Sequence, residues 1–391
     1  MQSQHPLAKG PNVLGRLFLR LGMLVACLTL AGGAYAQLDN SSFYRARLDT
    51  LPLHELGLRT NVLGYFKSNE YFNRIVEGYT LPGYQLWPTL HYRAHEHLTV
   101  EAGVWLQKDF GRAGLRRIEP TLSLRLHDEH RRFIFGTLEG TVEHGLIEPL
   151  MDFERLLEQR LENGTQLIME YPRWKLDVWS DWMRYIVPAD TFQEQFFGGI
   201  YTHYDLLKDP AVHLRLPITA TFFHQGGQID VTPGQPVYTL THFSGGLEGA
   251  WFWPGGFVDE LQVKAYYTYF FEWNNPVNVY PEGNGWYLNA AVKGKFGTLM
   301  ASYWKGYQFL MPTGGRLYRS LTSNVDNPGY TEQQRELLIF RILSDFHIGD
   351  QYKVVLRTEP HYDIGNRKWE YAFATYVHFD PYFVLGKVKR P

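Results

Sequence analysis

Hydrophobic and polar residues alternate along most of this chain with a period of two. Across residues 261–273, Leu261, Val263, Ala265, Tyr267, Tyr269, Phe271 and Trp273 share one face. Gln262, Lys264, Tyr266, Thr268, Phe270 and Glu272 share the other. Successive side chains of a β-strand point to opposite faces, so this is a strand signal. It is long against the usual strand of about 5–6 residues, and suits a tilted strand of roughly 9–11 residues crossing a bilayer. The same alternation marks 98–106, 118–126, 286–296 and 352–362. Weaker versions mark 55–66, 84–95, 131–142, 164–172, 174–186, 195–206, 212–224, 238–253, 297–309, 336–348 and 369–380. Sixteen strands are predicted.

The connections between them fall into two classes. Every second link is short: 94–98, 127–130, 171–175, 206–212, 253–260, 296–298 and 348–352. The intervening links are mostly long, as at 67–84, 143–164, 187–195, 225–237, 274–285 and 310–334, while 108–114 and 363–368 are modest. Short turns at one end and long loops at the other are the layout of a bacterial outer-membrane barrel.

On these strands and links the chain resembles a Gram-negative outer-membrane β-barrel protein, and by strand number it is similar to the sixteen-stranded general porins. The resemblance is architectural and rests on no family motif. It implies an all-β fold, a closed antiparallel transmembrane barrel with one amphipathic helix in a long loop. It also implies an outer-membrane location, contact with outer-membrane lipid and with the barrel-assembly machinery, and leaves room for a homo-oligomer. One departure stands out. Such barrels often finish on a terminal aromatic residue, whereas Phe379, Tyr382 and Phe383 are followed here by 386–391.

The start of the chain reads as an export signal. Arg16 and Arg20 precede an apolar run from Leu21 to Leu30, and Ala34-Tyr35-Ala36 supplies small residues for a cut before Gln37. Leu24-Val25-Ala26-Cys27 also reads as a lipobox, which would make Cys27 a lipidated N-terminus. A short periplasmic segment, 37–53, and a barrel, 54–391, are expected to follow. Cys27 is the only cysteine, so cleavage at Gln37 leaves an exported protein without disulfides.

Composition sharpens this picture in one respect. The chain holds 26 Tyr, 25 Phe and 11 Trp, yet its mean hydropathy is −0.30. Beyond the leader no stretch approaches the roughly 20 apolar residues of a spanning helix. A barrel reconciles the two, because one face meets lipid, the other meets water, and rings gather at the interfaces. Trp251, Trp253, Trp273, Trp286, Trp369 and Tyr371 all lie near predicted strand ends. A formal net charge of −2 offers no basic footprint for nucleic acid.

The polar face carries both signs, with Arg125, Arg131, Lys293, Arg341, Arg357 and Glu359 among its members. Arg or Lys facing lipid at mid-bilayer would cost about 2–4 kcal/mol each, so this face is expected to line the lumen. In the link 143–164, Leu146, Leu150, Phe153, Leu157 and Leu161 recur at helical spacing. Glu148, Asp152, Glu154, Arg155, Glu158 and Arg160 fill the positions between. By the porin resemblance this is the loop that folds inward, where those charges would set a field across a constriction. The alternative is a helix capping the barrel from outside.

The expected function is a porin-like channel for passive or weakly selective diffusion of small hydrophilic solutes. The alternative is a barrel closed by that loop, serving as a structural, assembly or export partner. Catalysis is not expected, since no Ser with a matching His stands out. His203 and Asp205 share a face, but strand geometry sets them about 7 Å apart. His95-Glu96-His97 and the segment His127–His130 fall in short turns, and no metal or other cofactor is expected.

Overall fold

Alternation of this kind leaves each strand with one apolar face and no internal hydrogen bonds, and pairing into a closed sheet satisfies both. The computed structural model describes residues 40, 43, 52–139, 144–227, 236–253, 255–273, 277–349 and 351–388. The expected leader, with Cys27, lies outside the described residues. The strands run β1 (Glu55–Phe72), β2 (Glu77–His95), β3 (Leu98–Asp109), β4 (Arg117–His127), β5 (Arg131–Thr137) and β6 (Asn163–Tyr171). They continue with β7 (Trp174–Arg184), β8 (Gln195–Lys208), β9 (Val212–Gln225), β10 (Tyr238–Phe252), β11 (Val258–Glu272) and β12 (Glu282–Gly294). The last are β13 (Gly297–Tyr307), β14 (Gln334–Ile348), β15 (Tyr352–Asp363), β16 (Lys368–Phe379) and β17 (Tyr382–Lys387).

From β1 to β16 each strand pairs antiparallel with the next, and β1 closes the sheet against both β16 and β17. Val62 to Glu70 pair with Phe379 to Tyr371 on β16, and Glu55 to Arg59 pair with Lys387 to Tyr382 on β17. The last two strands therefore form one stave, so the barrel has sixteen staves, as the sequence predicts. Pro381 cannot donate to a ladder, and the stave breaks beside it. Arg59 bridges the break with an ion pair to Asp380, and the Thr60 amide donates to the Pro381 carbonyl at 3.1 Å. The final stave thus runs past Phe379 to Lys387, which accounts for the unusual end of the sequence.

The strong alternation at 261–273 gives the observed faces. On β11, Gln262, Lys264, Tyr266, Thr268, Phe270 and Glu272 are buried inside, while Val263 and Tyr267 are exposed toward lipid. The rings, however, form two populations. Trp182, Trp253, Trp273, Trp286 and Trp369 are exposed on the outer wall near strand ends, as interfacial belts require. Trp87, Trp105, Trp179, Tyr266, Phe270, Tyr287, Trp304 and Tyr376 point inward and are buried. A wet lumen would leave the second group hydrated, so something must cover it.

That cover comes from two long loops at the extracellular end. Leu146, Ile147, Leu150 and Met151 of the 138–162 loop pack with Phe309, Leu310, Met311 and Tyr318 of the 308–333 loop, against Trp179, Phe270, Tyr287 and Trp304. Farther along the first loop, Phe153, Leu156 and Leu157 meet Leu63, Tyr65, Val355 and Tyr376 on the opposite wall. Phe43, from the expected periplasmic segment, joins this second cluster inside the barrel. Burying a side chain of this kind stabilises by about 1.5–3 kcal/mol, so the loops are part of the core.

The apolar spacing in 146–161 identified the buried residues but not their conformation. Only α1 (Arg155–Glu158), a single turn, is helical. Elsewhere the loop makes isolated turns, such as Leu150 and Met151 onto the Ile147 carbonyl, and two backbone bonds tie it to the other loop. The Gly315 amide donates to the Glu148 carbonyl at 3.0 Å, and the Asp152 amide donates to the Thr313 carbonyl at 2.8 Å. A side chain at Gly314 would collide with the Pro149 carbonyl, so glycine permits this approach.

Candidate functional site

The 138–162 loop turns its charges toward the barrel wall, where nearly all are matched. Glu148 accepts from Arg341 at 2.9 Å and from the Tyr287 and Tyr318 hydroxyls. Glu154 pairs with Lys67 at 2.8 Å and accepts from Asn69 and Tyr79. Arg155 lies 3.9 Å from Glu162 and 3.8 Å from Asp181, while Glu158 meets Arg316 at 2.7 Å. Arg160 donates to Gln85 and faces the Trp87 ring. The Asp152 carboxylate accepts the Glu154 amide.

On the wall, Glu359 accepts from Arg341 at 2.8 Å and lies 3.8 Å from Lys67. Arg125 lies between Glu101 and Glu139, and Arg357 among the Phe43, Phe153 and Tyr376 rings. Ten of the twelve candidate lumen residues are thus gathered inside. Two are placed elsewhere. Arg131 opens β5 with an exposed side chain and pairs with Asp128, because Arg132 and Ile134 carry the inward face of that strand. Lys293 is exposed below the packed lumen, beyond Ala291, where the buried alternation of β12 ends.

His144 is buried in the same loop, stacked on Trp179 at 4.1 Å. Its Nδ1 meets Asp177 at 3.0 Å and its Nε2 meets Glu162 at 2.8 Å. Burial opposes the imidazolium, but the two carboxylates outweigh it and raise the pKa from 6.5 to about 10. A raised histidine pKa stabilises fully below 6.5, and the benefit is lost as pH rises through about 10. Asp152, raised to about 6 by burial and by Glu154, titrates below that window. Between pH 6.5 and 10 the thermal unfolding midpoint of the native protein should therefore fall more than that of His144→Gln. Parallel pH curves for the two would contradict the assignment.

A different constellation lies on the outer wall. At the extracellular ends of β8, β9 and β10, Phe196, His224 and Thr239 stand in one cross-strand row. Neighbours on these strands alternate inward and outward, and Phe223 and Leu240 take the inward places. His224 and Thr239 therefore face outward, and His224 Nδ1 lies 2.8 Å from Thr239 Oγ1. His224 borders a groove of about 660 Å³ lined also by Tyr185, Ile186, Glu194, Gly226, Gly227 and Val237, and Thr239 stands behind it. Glu194 is held there by the Trp182 indole at 2.8 Å, and its carbonyl accepts the Gly226 amide. A side chain at Gly227 would press on the Glu194 carboxylate, so glycine keeps this wall open.

Below the row the surface is aromatic. Phe196 stacks on Phe222 at 5.3 Å, and Trp182 meets Phe196 edge-on at 4.9 Å. A hydroxyl within hydrogen-bond reach of an imidazole, with a carboxylate in the same groove, is the arrangement of an activated nucleophile. Here it stands on the outer wall, beside exposed aromatic rings.

Comparison with known proteins gives this geometry a context. The model of the lipid A 3'-O-deacylase-type family matches residues 48–388. The chain belongs to that family. Its membership overturns the expectation of a non-enzyme, since the family is an enzyme family. His224 and Thr239 lie on different strands, and only the β9–β10 register joins them, so no local motif marks the pair. The fold of this deacylase-type barrel is similar to that of a loop L8 deletion mutant of OmpT, an outer membrane protein of Vibrio cholerae. That likeness has a TM-score of 0.51 at 12% identity, over 83% of this chain and 99% of the other. OprD of Pseudomonas aeruginosa is also similar, with a TM-score of 0.51 at 9% identity, over 85% and 97% of the two chains. No curated protein matches it in sequence. These likenesses show the fold, the closed antiparallel barrel of outer-membrane proteins.

Proposed function

We propose that this protein is an outer-membrane hydrolase that removes an ester-linked acyl chain from a glycolipid of the outer leaflet, at the rim groove. The observation that carries this reading is the His224–Thr239 pair on the lipid-facing wall, in a chain of a deacylase-type family. His224 takes the proton of the Thr239 hydroxyl, whose oxygen attacks the ester carbonyl. The sugar oxygen then leaves with that proton, and water, deprotonated by His224, releases the fatty acid and restores Thr239. Atoms balance as one water consumed per acid released. Tyr185 and Gly227 line the same groove, on the side where an oxyanion would form.

Passive diffusion is the weaker reading, because the 138–162 and 308–333 loops fill much of the route that a solute would take. The test is mass spectrometry of lipid A vesicles incubated with the folded protein. The wild type should release fatty acid, and His224→Ala should slow release by about 10²–10⁴-fold. Unchanged release by His224→Ala would displace the site from this groove. Failure of the wild type to release any acid would overturn the hydrolase reading.

A further inference from the structure

The β3–β4 hairpin carries charge that its own fold leaves in excess. Lys108, Arg112, Arg116 and Arg117 cluster with only two carboxylates, Asp109 and Glu119. Asp109 is shared between Arg112 at 4.0 Å and Arg116 at 3.6 Å, and Glu119 lies 3.5 Å from Arg117. The Lys108 ammonium donates to the Arg112 carbonyl. Arg112 is the least covered of them, with 63% of its side chain exposed. These contacts leave two positive charges unbalanced within one tight turn.

The apolar residues of the same hairpin fix its level. Phe110, Leu115 and Ile118 are all exposed, and Phe110 approaches the exposed Tyr84 ring at 6.2 Å. Exposed rings and aliphatics on a barrel wall face lipid, and interfacial rings sit at headgroup depth. β3 stops at Asp109 opposite Gly83, while β2 continues upward to Glu77 in its pairing with β1. The basic turn thus lies beside the wall of a taller hairpin, immediately above an apolar band. Positive charge at this level meets the anionic groups of the surrounding leaflet.

We propose that the β3–β4 hairpin is a docking site for the phosphate group of an outer-leaflet glycolipid. Arg112 and Arg116 flank one phosphate, whose oxygens match the guanidinium fork, and Lys108 adds a third contact. Phe110 and Ile118 lie against the acyl chains of the same lipid. The site is separate from the rim groove, since β5 and β6 stand between the two. It serves to hold and orient glycolipid around the barrel whether or not that molecule is turned over.

The test is native mass spectrometry of the full-length folded protein, released from detergent with bis-phosphorylated lipid A, with dephosphorylated lipid A, or with inorganic phosphate. Retained lipid is counted whatever its acyl number, which separates this outcome from hydrolysis. The wild type should retain the phosphorylated lipid at least about fivefold better than the dephosphorylated one, a factor that three exposed ion contacts supply. The preference should weaken with salt, and inorganic phosphate alone should not be retained. In Lys108→Ala/Arg112→Ala/Arg116→Ala the preference should vanish while the dephosphorylated lipid is held as before. If that variant fails to fold, Arg112→Glu at the exposed tip should still reduce the preference. Equal retention of both lipids by the wild type would overturn the proposal, as would an unchanged preference in the variants.

Discussion

Thr239→Val should lose hydrolysis by about 10²–10⁴-fold, while Thr239→Ser should stay within about tenfold of the wild type. Valine keeps the shape and removes the hydroxyl that lies 2.8 Å from His224 Nδ1. Serine keeps the hydroxyl and removes only a methyl group. The comparison separates a nucleophile from a group that merely orients the imidazole. A nucleophile forms an acyl-enzyme, so the wild type should show an acyl mass adduct on the peptide holding Thr239 under rapid acid quench. Valine with near-normal turnover would instead make His224 the base for a water attacking directly. Both residues lie outside the packed lumen, so folding should survive each change, and a heat-modifiable gel shift checks that.

The second large effect concerns the loops inside the barrel. Glu148→Ala/Glu154→Ala should convert a silent barrel into a conducting one in planar bilayers. Glu148 holds Arg341, and Glu154 holds Lys67, both at buried positions. Removing one partner of a buried pair costs about 3–5 kcal/mol, because the other charge is left without compensation. In the double variant Arg341 and Lys67 would have Glu359 alone between them. Release of the 138–162 loop exchanges that cost for hydration of the wall. The measurement is the frequency of stable conductance steps per inserted barrel. Equal frequencies in wild type and variant would show that these carboxylates do not hold the loop in place.

Much of the barrel was legible because one period governs it. Strand faces follow directly from alternation, and the contrast of short turns and long loops orients the barrel without any motif. The interior was harder. Alternation marks Tyr266, Phe270 and Tyr287 as inward, but not whether water or protein meets them. The apolar spacing of Leu146 to Leu161 identified the residues that do meet them, yet it implied a helix. The loop breaks into isolated turns, and two of its backbone bonds go to 313–315, a partner invisible to local periodicity. Arg131 was misplaced by a single residue of parity, which in a strand moves a side chain to the other face. The rim pair was illegible for a deeper reason. His224 closes one predicted strand and Thr239 opens the next, and their approach depends on a register set by the whole β9–β10 ladder.

The filling of the lumen also bears on how the ring is held shut. The 138–162 loop bonds Lys67 and Asn69 on the first strand and Arg341 on the fourteenth, and it packs against Val355 and Tyr376 at the seam. Those groups are far apart in the chain and adjacent only after the last stave meets the first. The inserted segment therefore ties the first stave to the fourteenth, fifteenth and sixteenth from within, so its contacts count toward holding the ring shut as well as toward filling it.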